Sequence, residues 1–346
     1  MYICSVVLAG SLLFAQSAPL PPAPQLFSID HPAMGTTFTL YLYAANKETA
    51  DAEAAPVFDE VDRIEDLLSN YRVSSELSRI NREASGAVIT TDPETFAFLS
   101  ASIGWSARSQ GAFDITVGKL MKGWGFFNKR GRIPTDAELE TLRNQTGWEK
   151  VQLDAAARTV HFTSPGIELD PGGIGKGFAV DKAVAILRSE HVEAAMLSAG
   201  SSTIYALGAP PGQPGWKVVV PDPLDPGRAL STLTLRDTSL SSASCAEKHF
   251  ILDGHLYCHI MDPARLRPVE GMLFVTIVDP SATNSDALSN VLFVKPPAES
   301  VRFMRSLPGD QAFIISGTKD NPVCRPIHWR DTIEPGHCRM EKNSNE

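Results

Sequence analysis

The run Leu169-Asp-Pro-Gly-Gly-Ile-Gly-Lys-Gly-Phe-Ala-Val-Asp181 holds a carboxylate, then four glycines and a lysine within six residues. Val180, Val184 and Leu187 follow at helical spacing, so a helix is expected over 178–189. Glycines let backbone N–H groups approach a ligand closely, and a helix start adds unpaired donors and a positive dipole end. That combination suits a phosphate or pyrophosphate; the alternative is a tight turn that merely feeds a helix. Two familiar phosphate motifs are excluded. The P-loop needs Gly-Lys followed by Ser or Thr, but Lys176 is followed by Gly177. The dinucleotide fingerprint fails because the run reads Gly173-Ile-Gly175-Lys-Gly177-Phe.

A second group is Asp286-Ala-Leu-Ser-Asn290 at the start of an expected helix over 284–293. Positions i, i+3 and i+4 share a helix face, so Asp286, Ser289 and Asn290 project together. Three oxygen-bearing side chains suit a hard cation such as Mg²⁺; the alternative is a helix cap at Ser285 or Asp286. His259, in Tyr257-Cys-His-Ile-Met-Asp-Pro263, is a candidate base or an ordinary strand histidine. Asp114, in Gly111-Ala-Phe-Asp, caps a helix or holds a ligand hydroxyl.

The chain that must position these groups has 346 residues, 43% hydrophobic and 21% charged, which is globular. Its net charge of −9 argues against nucleic acid as a partner. The apolar run over 3–14 is too short to span a bilayer and resembles a secretory signal ending near Ala15-Gln-Ser17, though no Lys or Arg precedes it. Its alternative is a buried first strand. Residues 1–24 are therefore assigned to a signal and linker, with an exported or periplasmic, possibly membrane-associated, location. Export permits disulfides. Cys245 and Cys258 flank a hairpin expected to turn at Asp253-Gly254; in that register Cys258 faces His249, so a direct bridge to Cys245 is not expected. Cys324 and Cys338 are expected to close a small loop in the tail. No cysteine spacing matches a zinc site.

Alternation over 27–43 predicts strands around Met34-Gly-Thr-Thr37, and periodicity predicts helices over 47–69 and 92–109. A hairpin is expected over 151–168, and strands over 195–207, 216–221, 231–235, 273–279 and 313–315. Helices and strands mix without βαβ alternation, so the fold class is α+β.

Taken in order, Met34-Gly-Thr-Thr37, Asn70-Tyr-Arg72, Leu77-Ser-Arg-Ile-Asn81, Gly111-Ala-Phe-Asp-Ile-Thr-Val-Gly118, the glycine-rich run, the segment 198–208, Tyr257-Cys-His-Ile-Met-Asp-Pro263 and the segment 286–293 resemble the ApbE family of FAD:protein FMN transferases. The resemblance implies a single T-fold-related domain over 25–318, mixed sheets with packed helices, and a polar extension over 319–346. It implies an exported enzyme that takes FAD as substrate, uses Mg²⁺, releases AMP and attaches FMN to a Thr or Ser hydroxyl of an acceptor flavoprotein, a membrane redox-complex subunit. Met34, Tyr71, Ala112, Phe113, Asp114, Asp170, Lys176 and Met261 would contact FAD. The Gly173 carbonyl, Asp286, Ser289 and Asn290 would hold the metal, with His259 and Asp286 catalytic. Asn290 and Ser289 depart from the family's usual residues, as do Gly200-Ser-Ser-Thr203 and Ser244-Cys245. Two alternatives follow: a pyrophosphatase yielding FMN and AMP, or a non-catalytic FAD-binding module. No acceptor motif occurs in the chain itself, so self-flavinylation is not expected.

Overall fold

The computed structural model describes residues 23–341 except 129, 247, 335 and 337, and at Pro226 the backbone alone. The expected signal over 3–14 lies outside the described residues. The described chain opens with a hairpin of β1 (Gln25–Ala33) and β2 (Thr36–Ala44), turning at Met34 and Gly35 with positive φ at both. In β2, Phe38, Leu40 and Leu42 alternate with Tyr41 and Tyr43, and each set finds its own core. Helix α1 (Lys47–Leu68), capped by Asn46, buries Val57, Val61, Ile64 and Leu68. Next come α2 (Glu76–Glu83), β3 (Ile89–Thr90), α3 (Pro93–Ser109), α4 (Gly118–Gly123) and α5 (Asp136–Asn144). Strands β4 (Val151–Asp154) and β5 (Thr159–Phe162) join β3 in a small sheet before α6 (Gly175–Ser189).

Strands β6 (Ala195–Ala199) and β7 (Thr203–Leu207) return to the main sheet, while β8 (Trp216–Asp222) and β9 (Asp225–Leu235) form a separate hairpin. After β10 (Thr238–Ser244) come two small pairs: β11 (His249–Leu252) with β12 (His255–Cys258), and β13 (Met261–Asp262) with β14 (Arg267–Pro268). The chain ends through β15 (Met272–Asp279), α7 (Ala282–Val294), α8 (Pro297–Arg305), β16 (Gln311–Thr318), β17 (Asn321–Ile327) and β18 (Arg339–Met340).

The main sheet runs β1-β2-β6-β7-β10-β15-β16-β17-β18, antiparallel except for the last pair. One face packs against α1, α3, α6 and α7 in the largest core. The other is covered by the β8–β9 hairpin, whose Trp216, Val218, Leu233 and Leu235 meet Phe274, Phe313 and Ile315. The architecture is α+β, as the sequence predicts.

Four local expectations need correction. Helix α6 begins at Gly175, three residues before 178, because the glycines themselves enter its first turn. Helix α7 is capped by Ser281, whose side chain accepts from the N–H of Asn284, rather than by Ser285 or Asp286. The boundary at 318 falls inside a hairpin, since Thr318 pairs with Asn321 and β17 continues the sheet. Finally, Cys245 and Cys258 are bonded. His249 does face Cys258, but the chain doubles back after Ser244, bringing the His249 ring nitrogen 2.9 Å from the Cys245 carbonyl and the two cysteine Cα atoms to 5.0 Å. The Cys324–Cys338 bridge forms as expected, tying β17 to the segment before β18.

The junction of α6 and α7 positions both chemical groups. The Asp181 carboxylate, on α6, accepts from the N–H groups of Ala282 (2.8 Å) and Thr283 (2.9 Å) and from the hydroxyls of Ser281 (2.6 Å) and Thr283 (2.6 Å). It therefore satisfies the free donors at the start of α7. One turn earlier, Gly177 lets the helices touch: a Cβ there would run into the Ala282 carbonyl and lie 2.7 Å from Asp286 Cβ. From below, Ser285 bonds Ser239 (2.9 Å) and Ser241 (2.7 Å) of β10. Charge-assisted bonds contribute about 1.5–3 kcal/mol each before their couplings are counted, and a helix cap about 1. Asp181→Ala is expected to lower unfolding free energy by about 2–3 kcal/mol in urea. An unchanged midpoint and slope would contradict that role.

Candidate active site

The glycine-rich run is held at its entrance by Asn81, which clamps Leu169 from both sides: Nδ2 donates to the Leu169 carbonyl (3.1 Å) and Oδ1 accepts from its N–H (2.8 Å). Asp170 then donates its N–H to the Ile115 carbonyl (2.7 Å), so the 111–118 segment runs alongside. Its carboxylate accepts from Gly172 N–H (2.8 Å) and caps the short turn Pro171–Gly173. Burial pushes the Asp170 carboxyl upward, against the pull of Gly172 and Lys248. The N-cap residue Ile174 offers α6 no side-chain acceptor. Of the first-turn donors the Gly177 N–H is taken by Asp286, and no side chain among the described residues takes those of Gly175 and Lys176.

Beside this helix start lies an oxygen-rich group. Asp286 is buried, and its Oδ2 accepts from Gly177 N–H at 2.9 Å. Burial raises its carboxyl above the usual range, with Lys176 and Gly177 opposing. Asn290 Nδ2 donates to the Gly173 carbonyl (3.2 Å) and the Asp286 carbonyl (3.1 Å). Ser289 is turned onto its own helix, donating to the Asp286 carbonyl at 2.8 Å. Among the described residues no three His, Cys, Asp or Glu side chains group as metal ligands. A cation here would thus rest on one carboxylate with carbonyl, amide and hydroxyl oxygens, a donor set that fits Mg²⁺.

His259 follows β12 and sits near Lys176 and Lys248. Its Nδ1 lies 2.8 Å from the Lys248 carbonyl, which also accepts the His259 N–H at 3.1 Å. A carbonyl only accepts, so Nδ1 carries the hydrogen and Nε2 keeps its lone pair. Burial, and then the Lys248 and Lys176 cations, lower the imidazole pKa from 6.5 to about 4. The value near 6.5 that an isolated histidine suggests is not retained. Above about pH 5 this imidazole is neutral and able to accept a proton.

The other predicted contacts divide. Met34, at its strained hairpin turn, sits with Cε 3.6 Å from where a Gly175 Cβ would be. Phe113 Cε2 and the Asn290 amide both border the space where a Gly173 Cβ would be, at 3.1 and 3.4 Å. Tyr71 is 71% exposed and stacks on Phe127 with ring centroids 4.9 Å apart. Ala112 packs on the main core, and Met261 is buried beneath the β11–β12 hairpin with Trp124 and Leu266. Asp114 is taken up by the scaffold: its oxygens accept from Thr116 N–H (2.8 Å), Thr116 Oγ1 (2.7 Å) and Trp148 N–H (3.0 Å). Sequence reasoning missed roles for Asn81, Asp181, Lys248 and Phe127. Only Asn81 and Asp181 lay inside segments already singled out, and their spacing says nothing about the distant backbone they bind. Asn70 is placed beside Asp170, where its side chain helps to hold that carboxyl down against burial.

This fold and cleft define a class of α+β proteins in which a glycine-rich helix start and a buried aspartate face one another. The chain belongs to the ApbE family, whose sequence profile matches residues 34–315. The FAD:protein FMN transferase of Treponema pallidum is 29% identical over 299 residues, 82% of each chain. That of Vibrio cholerae is 30% identical over 297 residues, covering 84% of this chain and 86% of the relative. Among solved structures, the ApbE protein of Thermotoga maritima matches with a TM-score of 0.79 at 27% identity, over 85% of this chain and 96% of that one. The flavin transferase ApbE from Vibrio cholerae matches at 0.78 and 25% identity, over 88% and 97%.

An NMR titration of His259 should give a midpoint near pH 4 and ¹⁵N shifts of the Nδ1–H tautomer. A midpoint at or above 6.5, or the Nε2–H tautomer, would contradict the environment described.

Proposed function

We propose that this chain is a Mg²⁺-dependent FAD:protein FMN transferase. The observation that carries the reading is the proximity of the α6 start, whose Gly177 N–H is held by Asp286, to the Gly173–Asp286–Asn290 group and to the His259 imidazole near Lys176, whose Nδ1 is fixed on the Lys248 carbonyl. The names of the relatives point the same way.

In this reading the FAD pyrophosphate lies against the first turn of α6, where backbone N–H groups and the Lys176 ammonium meet its negative charge. The Gly173 carbonyl, Asp286 and Asn290, with Ser289 close by, would hold Mg²⁺, which would supply charge neutralisation at the phosphate oxygens. Met34, Phe113 and the exposed Tyr71 ring offer apolar and aromatic surface to the flavin half. A Thr or Ser hydroxyl of the acceptor attacks the FMN phosphorus. As the new P–O bond forms, the bond to the AMP phosphate breaks and the hydroxyl proton passes to His259 Nε2. His259 is neutral across the physiological range, so its readiness to accept does not vary there. The two disulfides support an exported, periplasmic setting.

One observation favours a second reading, a flavin-binding module with a weakened metal site. Asn290 presents its nitrogen, not its oxygen, to the Gly173 carbonyl. Product analysis separates the readings. Transfer predicts a flavin-fluorescent acceptor band with equimolar AMP; free FMN with AMP would indicate a pyrophosphatase, and unchanged FAD a binding module. Asp286→Ala is expected to reduce Mg²⁺-dependent turnover by at least about 10²-fold while the protein stays folded; full activity at ordinary Mg²⁺ would remove Asp286 from the site. Gly175→Val should weaken FAD binding by at least about tenfold by filling the phosphate cradle, and unchanged affinity would move the pyrophosphate elsewhere.

A further inference from the structure

Among the described residues of the segment between β10 and β11, Lys248 is the one that bonds His259. Lys248 is exposed, yet its carbonyl takes two hydrogen bonds from His259, and its cation acts on both Asp170 and His259. The other hydrogen bonds of its described residues are local: Ala246 N–H to Ser244 Oγ at 3.0 Å, and the His249 ring to the Cys245 carbonyl at 2.9 Å. Its one covalent tie is the Cys245–Cys258 disulfide. Cys258 is buried in the main core and directly precedes His259, while Cys245 packs against the same core at the end of β10. The bridge thus closes a loop that contains Lys248 and ends one residue before His259.

The geometry points to the Cys245–Cys258 disulfide as the positioning element for the proton-accepting imidazole, so that its reduction slows the chemical step without emptying the flavin site. This rests on His259 being the proton acceptor of the transferase reading. The bridge acts through the Lys248 carbonyl, which sets the tautomer and aims Nε2. A dithiol reductant opens it by two exchanges: one thiolate attacks a cystine sulfur to give a mixed disulfide, then the second thiol displaces the remaining cysteine. Two electrons and two protons reach Cys245 and Cys258, and the reductant leaves as a cyclic disulfide. After reduction the loop keeps the β11–β12 ladder, in which His249 faces Cys258, while the exposed stretch before it keeps local hydrogen bonds, the kind of region that opens locally at low cost. The phosphate cradle and Met34 lie on other elements and stay in place.

Misplacing a reacting group by about 1 Å costs about 10²-fold in rate. The test uses the Cys324→Ser/Cys338→Ser protein, in which only this bridge remains. After dithiothreitol, alkylation and mass spectrometry count the free thiols, and FMN transfer, FAD affinity and thermal stability are measured. The expected result is a fall of about 10–100-fold in kcat, with FAD Kd and KM within about threefold, reversed on reoxidation. Cys245→Ser/Cys258→Ser should reproduce the reduced rate and ignore the reductant. Full kcat with both thiols demonstrably free would overturn the proposal, as would a parallel loss of FAD binding and melting temperature, which marks a merely structural bridge. His259→Asn in the oxidised protein separates the two levels. If it is slow while the reduced enzyme is fast, the bridge inference falls and the transferase reading stands; if it transfers normally, the assignment of the base itself falls.

Discussion

Four hydrogen bonds accepted by the Asp181 carboxylate hold the start of α7 against α6, and the arrangement of the candidate site follows from that contact. The glycine-rich loop supplies phosphate-type donors only at the N-terminus of α6. The oxygen group for a cation is carried by α7. Neither is useful alone. Because Gly177 has no side chain, the helices approach until Asp286 takes the Gly177 N–H, and this brings the carboxylate to the foot of the loop. The buried Asp286 carboxyl is raised by desolvation, which Lys176 opposes. A cation binding there would relieve the same penalty, so site and cation are matched in charge.

Much of the frame was legible because its physics is local. The alternation in β2 and the helical spacing of apolar residues in α1 each announce an element from within a few residues. Strand β10 was not legible. Thr238-Ser-Leu-Ser-Ser-Ala-Ser244 reads as a polar loop, yet it lies in the middle of the sheet. Its hydroxyls are satisfied across elements, Ser239 and Ser241 by Ser285, Ser241 also by Thr203 (3.1 Å), and Ser242 by Thr276 (2.9 Å). No hydrophobic period records such pairings. The same limit explains the cysteines: a straight-strand register separates Cys245 from Cys258, and only the doubling back of the chain after Ser244 joins them.

At the site, residue types and order were enough to select most of the groups but not their states. Asp114 is in its expected loop, with its carboxylate bound to Thr116 and Trp148. His259 is beside the loop's lysine, with a pKa near 4 that burial and two cations impose. Asn290 is at the Gly173 carbonyl, with its nitrogen forward. These are tertiary properties, set by neighbours distant in sequence.

The central claim is that α6 and α7 together form one pyrophosphate and cation site. A crystal structure with FAD and Mn²⁺ substituted for Mg²⁺, phased for anomalous scattering, tests it most directly. The account predicts one anomalous peak bounded by the Gly173 carbonyl, the Asp286 carboxylate and the Asn290 amide oxygen, with the FAD phosphates over the first turn of α6. A peak elsewhere, or FAD bound with the Asn290 nitrogen still on the Gly173 carbonyl and no cation between them, would contradict it.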